Sequence, residues 1–163
     1  MKKEVFVVEK HAGSLCEKET TPICCFLSEE KAKEYADKLN DELACIFAKC
    51  DNEVEDNAVY TIRILSDKYI EENYPDIWEK MNDETNKDDD LLWEQIGDIE
   101  YEFEKDVDEV VAYAREKVND GLLTEKDVED VINFYAYNNT LEYDGAQPFY
   151  RVSRGLLIVD LED

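Results

Sequence analysis

The chain has 163 residues, of which 43 are acidic and 18 basic, giving a net charge of −25. Such a field repels nucleic acid and anionic membranes, and with no basic stripe the chain is not expected to bind nucleic acid directly. At 44% apolar, with ten Tyr, six Phe and two Trp, it is too sticky for a disordered acidic tail and long enough to bury a core, and no run reaches the roughly 18 apolar residues of a membrane span.

Met1-Lys2-Lys3 leads into Glu4-Val5-Phe6-Val7-Val8-Glu9, too short and too charged for a signal peptide, which predicts a soluble cytoplasmic protein. Glu4 to Lys10 reads as a strand, and Pro22 to Leu27 as its antiparallel partner across a loop that contains Gly13 and holds His11 to Cys16. Ser28 predicts the cap of a helix, SEEKAKEYADKLNDE, with acids in its first turn and Ala32, Tyr35, Ala36 and Leu39 at helical spacing. Asp51 to Asn57 reads as a polar turn, and Val59 to Leu65 as a β-branched strand stopping at Ser66, another cap residue. Asp67 to Asn73 predicts a short helix, and Pro75 fits the first position of the next, ending at Met81.

Leu92, Ile96, Ile99, Phe103, Val107, Val110, Ala114 and Val118 then recur in steps of three and four. That spacing predicts one amphipathic helix running through DIEYEFEKDVDE at 98–109, where alternation of period two works only from Ile99 to Phe103. Gly121 ends this helix, and Thr124 with Asp127 caps the next, lined by Val128, Val131, Ile132 and Tyr135. Phe149 to Leu161 is extended, with Arg154-Gly155 reading as a bend or bulge. The pattern predicts an α+β fold: a small, mostly antiparallel sheet with one packed helix, plus an acidic helical insertion. The sheet portion is expected at 1–65 and 146–163 and the helical portion at 66–145, in a single compact unit.

The charge is segregated. Residues 66–130 hold 24 acids and 7 bases, a net of −17, against −5 for 1–65 and −3 for 131–163. Adaptation to high salt is the bland explanation, and the 14 retained lysines weigh against it. On the predicted helix Glu94, Asp98, Glu102 and Asp106 form one i, i+4 row and Glu100, Glu104 and Asp108 another. Each like-charge pair opposes the helix by roughly 0.2–0.5 kcal/mol, so the five pairs cost on the order of 1–2.5 kcal/mol. That is an odd expense for a surface with no task. Carboxylates about 5–6 Å apart along a ridge resemble the phosphate repeat of a nucleic-acid strand. The comb therefore predicts imitation of nucleic acid, with Asp88, Asp89, Asp90, Glu94, Asp98, Glu100, Glu102, Glu104, Asp106, Asp108 and Glu109 as partner-binding acids. Trp93 and Tyr101, with Trp78, are the expected aromatic anchors. A merely solvated face is the plain alternative.

Other chemistry is thin. His11 is the sole histidine, so no Ser-His-Asp or two-histidine metal site can be built, and His11 with Cys16 has only proximity in its favour. Cys16, Cys24, Cys25, Cys45 and Cys50 lack a C-x-x-C pair and are expected to be reduced and buried. Asp88 to Asp90 and Asp51 to Asp56 lack the glycine and distal glutamate of an EF-hand loop. No Gly-rich phosphate loop is present. The expectation is a protein without catalytic residues, cofactor or metal.

The hairpin EVFVVEK…PICCFLS, the SEEKAKEYADKLN helix and the closing FYRVSRGLLIVDLED resemble small proteins encoded by phages and other bacterial mobile elements, over roughly residues 4–40 and 148–163. The acidic middle departs from that frame, and its charge resembles that of anti-CRISPR proteins and related DNA mimics. The resemblance implies a host-takeover or anti-defence setting. Together with the acidic comb it leads to the expectation of a non-enzymatic inhibitor in the cytoplasm of a host bacterial cell, blocking the DNA- or RNA-binding channel of a basic target such as a CRISPR effector or another nuclease. It assigns no residue a role. The alternatives are an immunity protein neutralising a toxin nuclease, and a structural adaptor or oligomer subunit with Phe134, Tyr135, Tyr137, Tyr143, Phe149 and Tyr150 as its interface.

Overall fold

The computed structural model describes residues 2–12, 19–141 and 147–158. Gly13, Cys16, Tyr143 and the end of the expected final strand, 159–161, lie outside the described residues. The chain divides into two compact units, Met1–Lys49 with Ala136–Asp163, and Cys50–Tyr135.

The first unit is a three-stranded antiparallel sheet of β1 (Lys2–Ala12), β2 (Glu19–Phe26) and β3 (Phe149–Ile158), in the order β2-β1-β3, packed by α1 (Glu29–Ala48). Strand alternation turns Phe6 and Val8 toward α1, where Ala32 and Ala36 are small enough to let the helix settle onto the sheet. Tyr35, Leu39, Phe26, Tyr150 and Val152 close that core. Ser28 caps α1 as expected, its hydroxyl accepting from the Lys31 N–H at 3.3 Å. Asn40 ties the helix to β3: its amide donates to the Tyr150 carbonyl at 3.0 Å and accepts from the Tyr150 N–H at 2.8 Å.

Two details of the sheet differ from expectation. The register of β1 on β3 runs unbroken from Lys2 opposite Ile158 to His11 opposite Phe149, so Arg154-Gly155 is neither bend nor bulge. The irregularity lies on the β2 side, between Val8 and Glu9, where Glu9 pairs with Pro22; proline has no N–H to give the ladder, and the pairing slips there. His11 belongs to β1 rather than a loop, with its ring stacked on Phe149 at 5.2 Å.

The second unit is helical: α2 (Asn52–Asn73), α3 (Pro75–Met81), a 3-10 turn at Glu84–Asn86, α4 (Asp90–Glu104), α5 (Val107–Asn119) and α6 (Glu125–Thr140), whose last turn passes into the first unit. One core gathers Ala58, Ile62, Leu65, Phe103, Val110, Ala114, Val128 and Val131; a second gathers Ile70, Leu92 and Ile96 with Ile77, Trp78 and Met81. Pro75 opens α3, Gly121 follows α5 at φ 80°, and Thr124 and Asp127 cap α6 reciprocally at 3.3 and 2.9 Å. Each of these matches its expected position.

The expected strand Val59–Leu65 is instead the middle of α2. Ala58, Ile62 and Leu65 bury one helical stripe, while Val59 and Tyr60 stay exposed. One-sided burial at helical spacing overrides the β preference of this run, because that preference is itself mostly a matter of packing context. Asp51, expected in a turn, caps α2 by accepting from the Val54 N–H at 2.9 Å. Ser66 is a buried residue within the helix, and Asp67 to Asn73 is the same helix continuing. The expected 65/66 boundary thus falls inside α2, and the units part at 49/50 and 135/136.

The expected helix from Leu92 to Val118 is also two. α4 ends at Glu104, and the Asp106 carboxylate accepts from the Glu109 N–H at 3.2 Å to start α5. The step of four from Phe103 to Val107 carries the apolar spacing across the break, so the spacing conceals it.

Cys50–Tyr135 carries 28 acids and 8 bases, a net of −20, leaving −5 for the rest of the chain. Among the described residues the two buried charges, Lys117 and Asp130, are each paired internally. Lys117, only 3% exposed, donates to Glu72 at 2.7 Å and Asp120 at 3.4 Å and lies over the Tyr113 ring, whose hydroxyl donates to the same Glu72. The buried Asp130 accepts from Asn57 at 2.7 Å and Lys126 at 2.9 Å. Among the described residues no helix is long and apolar enough to cross a membrane.

Candidate partner-binding surface

α4 carries most of the expected site. Asp89 caps it, accepting from the Leu92 N–H at 3.2 Å, and Asp90 occupies its first turn, where the helix dipole favours negative charge. Asp88 is exposed just before. From Asp90 an exposed row runs through Glu94, Asp98 and Glu102, rising about 6 Å per step at 1.5 Å per residue. Only its last member is paired among the described residues: Glu102 meets Lys105 at 2.7 Å, and Lys105 also lies over the Tyr101 ring.

The second expected row does not form a comb. Glu100 and Glu104 are half-buried and turn into a groove of about 510 Å³, walled by Val59, Ile62, Phe134 and Tyr135 and shared with Arg63, Ser66, Tyr101 and Lys105. Glu104 accepts from the Ser66 hydroxyl at 2.8 Å. Burial pushes the Glu100 carboxyl up, the charges of Glu104 and Asp67 push it further, and Arg63 opposes them. Burial and then Glu104 push the Tyr135 hydroxyl up to about 12; it donates to the Glu104 carbonyl at 2.8 Å. Asp108, expected to extend this row, lies on α5 instead.

A different convergence replaces it. Asp98 and Glu102 of α4 and Glu109 in the first turn of α5 line one groove of about 370 Å³ with Tyr69, Tyr74, Gln95, Ile99 and Phe103. The Tyr69 ring stacks on Phe103 at 4.5 Å and meets the edge of Tyr113 at 5.9 Å. Burial raises the Tyr69 hydroxyl, with the charge of Glu109 as the second cause. Asp106 is held by its cap, and Asp108 is exposed beside it. Tyr69 and Tyr74 were not among the expected site residues. The signal for Tyr69 was the stripe Ile62, Leu65, Tyr69, visible only once α2 is read as a helix.

Of the expected anchors, Tyr101 is 67% exposed, while Trp78 packs against the Ile70–Leu92–Ile96 core. Trp93 is 42% exposed, and its indole N–H is shared between the carbonyls of Asn86 and Lys87, which pins the turn before α4. The expectation of buried thiols fits Cys50, and Cys24 in part; burial raises both, whereas Cys25 and Cys45 are exposed. Among the described residues no three His, Cys, Asp or Glu side chains are grouped to hold a metal ion. His11 faces Glu9 at 3.2 Å. Phe134 and Tyr135 pack on the second unit's core, Tyr150 on the first unit's core and Tyr137 on Phe47, leaving Phe149 as the exposed member of that aromatic set among the described residues.

No family model, curated protein or solved structure matches this chain.

Proposed function

We propose that the protein is a non-enzymatic inhibitor, an acidic nucleic-acid mimic that blocks the DNA- or RNA-binding channel of a basic target such as a CRISPR effector nuclease, in the cytoplasm of a bacterial host. The observation that carries this reading is the exposed row Asp90, Glu94, Asp98 and Glu102, set in a unit of net charge −20. A basic channel built to neutralise phosphates gains from such carboxylates by the same electrostatics, and the bound protein then excludes the nucleic acid. Glu109 and Asp108, in the first turn of α5, extend the anionic surface, and Tyr101 offers an exposed ring beside it.

The test compares two neutralised variants in a nuclease-inhibition assay. One changes the row, Glu94→Gln, Asp98→Asn and Glu102→Gln. The other removes the same charge from exposed positions on α1, Glu30→Gln, Glu34→Gln and Asp37→Asn. Loss of inhibition in the first alone is the expected result, and full inhibition by the first overturns the proposal.

A further inference from the structure

The groove shared by α4 and α5 has a feature that mimicry of a phosphate repeat does not require: aromatic walls. We propose that it is a socket for one arginine side chain of the basic partner, with the guanidinium laid on the Tyr74 ring and its N–H groups donated to Asp98 and Glu109. This deepens the mimic reading and rests on it. Of the three carboxylates lining the groove, Asp98 and Glu109 have no ion-pair partner among the described residues, whereas Glu102 is held by Lys105. Among the described residues no lysine or arginine lines this groove; the Glu100 groove, by contrast, contains Arg63 and Lys105. The charge that complements it is therefore a cation. Tyr69 is locked against Phe103, and Tyr74, 39% exposed and 6.2 Å from Tyr69, presents the more open ring. Ile99 and Phe103 offer apolar surface to the methylenes of a long side chain. Arginine fits this combination better than lysine. Its planar, weakly hydrated guanidinium stacks on an aromatic face while its fork of donors reaches two carboxylates, whereas an ammonium is a compact, strongly hydrated point charge.

The experiment titrates the whole protein with fluorescently labelled deca-arginine and deca-lysine at equal ionic strength, reading anisotropy. The expected result is tighter binding of deca-arginine, on the order of several-fold to tenfold. Tyr74→Leu, which keeps apolar bulk, should remove that preference while both peptides still bind. Glu109→Gln should weaken deca-arginine more than deca-lysine, and Glu94→Gln, outside the groove, should weaken both alike. Equal affinity for the two peptides in the unmodified protein, or an undiminished preference in Tyr74→Leu, overturns the socket and leaves the mimic reading standing. Binding of neither peptide overturns both.

Discussion

Glu100 and Glu104 lie one turn apart on α4 and enter the same groove, but among the described residues only Glu104 has a hydrogen bond there, from Ser66. Glu100 is left with burial and two neighbouring acids against the single attraction of Arg63, and its pKa is raised. A raised carboxylate pKa means that the fold binds the proton more tightly than the unfolded chain does. The charged form thus costs stability above the folded pKa, and that cost is relieved as pH falls through it. Glu72 has the opposite sign. Lys117 and Tyr113 lower its pKa, so its contribution is present above the ordinary carboxylate range and lost as pH falls through the lowered value. Glu100→Gln is therefore expected to stabilise the protein by about 0.2–0.5 kcal/mol at pH 7 through the lost repulsion with Glu104, and by less at pH 5. Urea unfolding at the two pH values measures this; a loss of stability at pH 7 would mean that Arg63 outweighs the acids. The repulsion of Glu100 and Glu104 was legible as i, i+4 spacing, but the tie that lowers Glu72 was not. Glu72 and Lys117 are 45 residues apart, and no local spacing marks a lysine for burial.

At the scale of elements, what was legible followed from chemistry contained within four residues. Ser28, Pro75, Gly121 and the Thr124–Asp127 pair each settle a helix end by supplying or withholding one backbone partner, and the structure places the ends there. Illegible were the cases where two local signals competed. Val59 to Leu65 is β-branched and also carries a helical stripe, and the choice between them depends on the partners that α4, α5 and α6 bring. At Asp106 the apolar spacing favours continuation and the carboxylate favours a new cap. The cap prevails, and its strength can be measured. Asp106→Ala should destabilise the protein by about 1 kcal/mol, within a range of roughly 0.5–2, while Asp106→Asn, which keeps an acceptor for the Glu109 N–H, should stay near the unmodified value. Equal losses in the two variants would assign the effect to charge at the helix start rather than to the hydrogen bond. The same logic divides the candidate site. The outward row on α4 was visible as i, i+4 spacing, whereas the inward turn of Glu100 and Glu104 and the groove at Tyr69 and Tyr74 need several helices assembled.

For the whole molecule, salt separates the charge that holds the fold from the charge proposed to meet a partner. A net charge of −25 opposes compaction by self-repulsion, and most of it sits in Cys50–Tyr135. Between about 0.01 and 0.5 M NaCl the Debye length falls from about 30 Å to a few ångströms, so repulsion between exposed carboxylates is largely screened. The tie of Lys117 to Glu72 is screened much less, because the lysine is buried. Thermal stability should therefore rise with salt over this range, each kcal/mol of relieved repulsion moving Tm by about 2–4 °C. Affinity for a basic partner should fall over the same range, since screening removes the attraction with the repulsion. Opposite slopes from one titration distinguish a surface charged for binding from one charged only for solubility, which has no complex to weaken. Neutralising Glu94, Asp98 and Glu102 should flatten both slopes, and neutralising Glu30, Glu34 and Asp37 should leave the binding slope unchanged. A Tm that falls with salt would show instead that paired attractions dominate, and the cost of crowding these carboxylates would then no longer argue for a task.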